Sequence, residues 1–134
     1  DVELASTSVE FDGTIEVSVT ITNTGDRAGA EVVQLYTRDK LCSVVRPVKE
    51  LKGFHKVWLE AGESKRITFS LPVDMLNFTN AKHQRVVEGG EFEIMIGRSS
   101  SEIEHRAIVN VNGKVNTLPK HWRMICETKE VQSA

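Results

Sequence analysis

Apolar and polar residues alternate with a period of two through much of the chain, the signature of strands with one buried and one wet face. Ile15, Val17, Val19 and Ile21 point one way while Glu16, Ser18, Thr20 and Thr22 point the other. The rhythm returns at Val33, Leu35 and Thr37, at Ile67, Phe69 and Leu71, at Phe92, Ile94 and Ile96, and at Ala107, Val109 and Val111. Turn-forming residues separate these runs: Asp12-Gly13, Asn23-Thr24-Gly25-Asp26, Ala61-Gly62, Gly89-Gly90 and Asn112-Gly113. Of these, Asp12-Gly13 reads as a tight hairpin joining Ser8–Phe11 to the strand that follows. Helical periodicity is weak and limited to one turn near Val73–Leu76 and a stretch around Trp122–Glu130.

Short strands with regular turns and no intervening helices predict an all-β fold, an antiparallel β-sandwich of about seven strands of the immunoglobulin or fibronectin type III kind. A small closed barrel is the second choice. The alternation stops at Asn116, which divides the chain into a sandwich over 1–115 and a C-terminal tail or linker over 116–134. Leu118, Trp122, Met124 and Ile125 are too many apolar residues for a solvated tail, so part of it is expected to pack on a neighbouring surface. The first residue is Asp1 rather than Met, which suggests a processed product or a piece of something longer.

Composition narrows the function classes. The chain has 134 residues, enough for one domain, and 40% of them are hydrophobic. Seventeen Lys and Arg against nineteen Asp and Glu leave a net charge of −2, without the basic excess of a nucleic-acid binder. No apolar run approaches the length of a membrane span, so neither nucleic acid nor membrane is an expected partner. Cys42 and Cys126 stand far apart with no second Cys near either, which excludes a redox pair or zinc half-site and favours two free thiols. His55, His83, His105 and His121 lack metal-ligand spacing, and no phosphate-binding glycine motif occurs, so no metal and no cofactor is expected. Ser99-Ser100-Ser101 has no nucleophile-elbow context and reads as a loop.

Glu91 and Glu93 lie two apart on one strand face, Cα atoms about 6.7 Å apart, a spacing a glycosidase could use. On a wet sheet face nothing would raise either carboxyl's pKa, so they are read as ordinary strand residues and no catalytic residue is assigned. Asn77-Phe78-Thr79 matches the N-glycosylation sequon, and Asn77 is read as a plain loop residue. Val57 and Leu59 should point inward, which turns Trp58 outward, where it could stack on a sugar, cover a cross-strand neighbour or dock a second domain. The connection from Arg38 to Lys49 mixes charged and apolar residues, and Arg38, Asp39, Val45, Arg46, Pro47 and Lys49 are candidates for a domain-docking surface.

Five motifs in order carry a resemblance: Thr22-Asn23-Thr24-Gly25, the run Glu31 to Asp39, Arg46-Pro47-Val48-Lys49-Glu50-Leu51-Lys52-Gly53-Phe54, Leu59-Glu60-Ala61-Gly62-Glu63-Ser64, and Gly90 to Gly97. Together they resemble the fibronectin type III-like domain of family 3 glycoside hydrolases, the β-glucosidase and β-xylosidase group. The resemblance implies a scaffold. In that family the nucleophilic Asp lies on a barrel domain and the acid/base carboxylate commonly on a second domain, so neither maps here. The implied role is a non-catalytic accessory domain whose partners are the catalytic domains of a parent glycosidase, cytoplasmic, periplasmic or secreted. The alternative is a module that anchors polysaccharide near the parent's active site through outward aromatics such as Trp58 or Tyr36.

Overall fold

A computed structural model of the chain describes residues 2–40, 49–99 and 102–133. Among these residues ten strands form two facing sheets: β1 (Val2–Leu4), β2 (Ser8–Val9), β3 (Thr14–Thr22), β4 (Gly29–Asp39), β5 (Glu50–Leu59), β6 (Ser64–Pro72), β7 (Phe78–Thr79), β8 (Arg85–Gly97), β9 (Ile103–Thr117) and β10 (Glu127–Ser133). The smaller sheet has the order β1-β3-β6-β10, and the larger β2-β9-β8-β4-β5, with β7 also on β8. Every pairing is antiparallel except the short parallel contact of β2 with β9. This is the all-β sandwich that the alternation predicts, with extra strands that are short or polar.

The core lies between the inner faces and follows the period-two positions. Ile15, Val17 and Val19 of β3, Ile67, Phe69 and Leu71 of β6, Val33 and Leu35 of β4, Phe92, Ile94 and Ile96 of β8, and Val109 and Val111 of β9 are all buried in one cluster. The single turn at Val73–Leu76 is a 3-10 helix whose Val73 and Leu76 complete that cluster. Asn77, just beyond it, is buried: its Nδ2 donates to the Asp74 carbonyl at 2.6 Å and its Oδ1 accepts from Arg85 Nη1 at 2.7 Å. An amide held on both sides closes the turn.

Three local expectations change. Asp12-Gly13 does turn the chain, with Gly13 N–H donating to the Glu10 carbonyl, but it joins strands of opposite sheets: β2 pairs β9, while β3 pairs β1 and β6. Gly89-Gly90 and Asn112-Gly113 are not turns. They sit inside β8 and β9, where the ladder shifts register between Glu88 and Gly90. A Cβ on Gly89 would lie 1.9 Å from the Gly113 carbonyl oxygen, so glycine serves here for close backbone approach.

The stretch around Trp122–Glu130 is extended rather than helical. Residues 118–126 cross the molecule as a strap, and β10 then pairs with β6 from Glu127↔Ser70 to Ser133↔Ser64. The part of the chain beyond Asn116 therefore supplies a strand of the smaller sheet. Arg123 fastens the strap: its backbone N–H and Nε donate to Asp74 Oδ2 at 3.1 and 3.3 Å, and Nη2 donates to the Gly13 carbonyl at 2.9 Å. Nearby, the Arg85 guanidinium carbon lies 5.7 Å from the Trp122 ring centre, a cation–π distance.

Candidate functional site

Alternation decides which side chains the larger sheet shows to the outside. Gln34, Tyr36 and Arg38 of β4 face outward beside Glu93 and Met95 of β8, because Tyr36 pairs with Met95 and Arg38 with Glu93. Arg106 and Ile108 of β9 continue the face through the pairs Met95↔Arg106 and Glu93↔Ile108. Tyr36 and Met95 are buried even on this outer side, and the Tyr36 hydroxyl donates to Gln34 Oε1.

Glu93 is largely covered, with a side chain only 14% exposed between Arg38 Nη2 at 3.2 Å and Arg106 Nη1 at 3.5 Å. The wet face expected for it is thus corrected: two guanidinium groups enclose its carboxylate. Glu91 is exposed and pairs with Lys40 at 3.5 Å. The carboxylate and the two guanidinium groups form an electrostatic clasp across β4, β8 and β9. Elsewhere, a groove of about 490 Å³ between the strap and β3 and β6 is lined by one carboxylate, Glu127. A groove of about 510 Å³ brings Asp12 and Asp74 together, but Asp74 is taken by Arg123. Among the described residues no three His, Cys, Asp or Glu side chains gather as a metal site.

Three of the sequence-predicted docking residues, Arg38, Asp39 and Lys49, sit at the mouth of the β4–β5 connection. Arg38 is part of the clasp, Asp39 is the last residue of β4, paired in register with Phe92, and Lys49 immediately precedes β5. Val45, Arg46 and Pro47 lie outside the described residues.

Strand β5 carries the feature that sequence reasoning caught only in part. Val57 and Leu59 are buried and Trp58 is 55% exposed, its indole N–H donating to Glu60 Oε1 at 3.3 Å. On the same side stand Phe54, 65% exposed, and Leu51, 50% exposed, with Lys56 between the two rings. Phe54 was legible, since it lies an even number of residues from Trp58. Leu51 was not, because the register against β4 shifts: Leu35 faces Gly53 while Tyr36 faces Leu51, so Lys52 is bulged and the alternation changes phase. Leu51 pairs with Tyr36 and Trp58 with Ala30, six residues of β4 apart, so the row is about 20 Å long.

The inner side of β5 meets the last strand. His55 Nδ1 lies 2.8 Å from Thr128 Oγ1 and its Nε2 2.6 Å from Glu130 Oε2, while Lys65 Nζ is 3.6 Å from Glu130 Oε1. These partners, His55 first, hold the Glu130 carboxyl below its ordinary value. Cys126 packs beneath Gly53, and burial pushes its thiol up to about 11, so it is protonated and inert at neutral pH.

The fold is a β-sandwich with an outward apolar row on its edge strand β5. In comparison with known proteins, the fibronectin type III-like domain family matches residues 31–100. The thermostable β-glucosidase B of Acetivibrio thermocellus is 45% identical over 134 residues, which cover 99% of this chain and 18% of that protein. A β-xylosidase of Formosa agariphila is 48% identical over 98 residues, 73% of this chain and 14% of that one. The crystal structure of a β-glucosidase from Listeria innocua superposes with a TM-score of 0.77 at 38% identity, covering 85% of this chain and 16% of that one. A family 3 β-glucosidase from Bifidobacterium adolescentis gives 0.75 at 40% identity, covering 82% of this chain and 16% of its own. The chain belongs to the fibronectin type III-like domain family, in the form carried by family 3 glycoside hydrolases, and spans less than a fifth of each of these relatives.

Proposed function

We propose that the chain is a non-catalytic accessory domain of a family 3 glycoside hydrolase, a β-glucosidase-like parent, which buttresses the catalytic domains and makes interdomain or subunit contacts. The observation that carries this reading is the outward row Leu51, Phe54 and Trp58, an apolar surface where a catalytic cleft would present convergent carboxylates. In the sequence the row begins two residues after Lys49, the last of the residues proposed for docking, Arg38, Asp39, Val45, Arg46, Pro47 and Lys49. In this reading residues 1–115 form the body of the domain, and 116–134 the C-terminal segment that packs against it and adds β10 to the smaller sheet.

One observation favours a second reading, a carbohydrate-binding surface. Phe54 joins Trp58 on one strand face, four residues and about 13 Å apart, with Lys56 between them as a hydrogen-bond donor. The test is direct. The 134-residue chain should not hydrolyse an aryl β-glucoside or β-xyloside, and removing it from the parent should lower the melting temperature of what remains without changing sugar preference. Turnover by the chain alone that disappears in Glu91→Gln or Glu93→Gln would overturn the non-catalytic reading.

A further inference from the structure

The buried core is complete before the chain reaches its last strand. Every buried member of the core cluster lies between Ile15 and Val111, and from Pro119 to Gln132 no residue is buried. Trp122, Cys126 and Thr128 are half-buried in that stretch, and the rest is exposed. Strand β10 is held by its backbone ladder to β6, from Glu127↔Ser70 to Ser133↔Ser64. Polar contacts add to the ladder at its centre, where His55 meets Thr128 and Glu130, and Lys65 meets Glu130.

The segment has a defined beginning. The Leu118 N–H donates to the Arg85 carbonyl at 2.9 Å and extends the β8–β9 ladder by one residue. Pro119 has no N–H and cannot continue it. Beyond that point Arg123 fixes the strap to Asp74 and to the Gly13 carbonyl, and the Trp122 ring lies beside the Arg85 guanidinium. The groove of about 490 Å³ between the strap and β3 and β6 shows that the strap does not lie flush on the sheet.

Regions with few buried apolar contacts open at free energies well below that of global unfolding. The two fastenings, at Arg123 and at Glu130, also depend on each other. While β10 is docked the strap is a closed loop and costs little more entropy to fix, whereas a strap with a free end must be ordered residue by residue. Loss of either fastening therefore weakens the other.

We propose that residues 119–133 form one arm, hinged at Leu118–Pro119, that swings off β6 as a unit while the rest of the sandwich stays folded. The edge of β6 from Ser64 to Ser70 is then alternately covered and bared.

Hydrogen exchange of the 134-residue chain over a series of low urea concentrations, read amide by amide by NMR, tests it. The amides that bond β10 to β6 should exchange at least on the order of a hundredfold faster than those that bond β3 to β6. They should also depend little on urea, because opening the arm exposes little surface. Val109→Ala, in the core of the larger sheet, should speed exchange of the core amides and leave β10 unchanged, since the arm opens without disturbing that core. Arg123→Ala should raise exchange along the whole of β10 about tenfold, although the bonds of Arg123 run to Asp74, Gly13 and Thr14. Glu130→Ala should likewise speed exchange at the Arg123 amide. If the β10 amides share the rate and urea dependence of the core, or quicken with Val109→Ala, the arm opens only when the whole fold does and the proposal falls. If Arg123→Ala leaves β10 untouched, the strand frays on its own, and the single arm is equally overturned.

Discussion

At Gly53 the absence of one methyl group lets Cys126, the last residue of the strap, pack against β5. A Cβ there would meet Cys126 Sγ at 2.9 Å and Cys126 Cβ at 3.3 Å, with Phe69 at 3.5 Å behind them. Gly53→Ala should therefore destabilise the fold by about 1–3 kcal/mol, as overpacking does. Cys126→Ala in the same chain should recover much of that loss, and a double-mutant cycle in urea would detect the coupling. Additive costs would mean that the glycine matters for the bulge at Lys52 alone. Phe92, fully buried, and Glu93, its clasped neighbour, make a second comparison. Phe92→Ala should cost about 3–5 kcal/mol. Glu93→Ala, which leaves Arg38 and Arg106 facing each other without their carboxylate, should cost less, about 1–3 kcal/mol. Equal losses would show the strand faces to be misassigned.

At the scale of elements, what could be read from the sequence was what burial imposes on one face of a strand. The runs through Val17, Leu35, Phe69 and Phe92 announce themselves because each side chain must choose between core and water. Gly89-Gly90 and Asn112-Gly113 misled for a physical reason: the freedom that lets glycine turn also lets two backbones touch, and composition does not distinguish these uses. Strand β10 was hidden because Thr128, Lys129 and Glu130 carry no apolar alternation; its backbone ladder to β6 and the His55 contacts place it. Trp58 was legible from its buried neighbours, whereas Leu51 depended on a bulge visible only in the register. The β10 contact also sets a pH dependence. A carboxylate held below its ordinary value of 4.5 adds stability above that value and loses it as pH falls through the lowered one. The melting-temperature difference between the native chain and Glu130→Gln should therefore shrink as pH falls below about 4.5. A difference unchanged down to pH 3 would mean that the carboxylate form contributes nothing.

For the whole molecule, the order of strands along the chain matters as much as their arrangement in space. Strand β6 ends at Pro72, and its outer neighbour β10 begins only at Glu127. At translation rates of about 5–20 residues per second, the β6 edge emerges several seconds before the strand that covers it. An open edge is a template for pairing with another nascent chain. Near its start Lys65 and Arg66 are both charged, and in the finished fold Lys65 binds Glu130 of β10 while Arg66 binds Glu3 of β1. During synthesis the same two cations would discourage neighbouring chains on a polysome from adding their own strand, so a lysine that later fastens this edge first serves to keep it unclaimed.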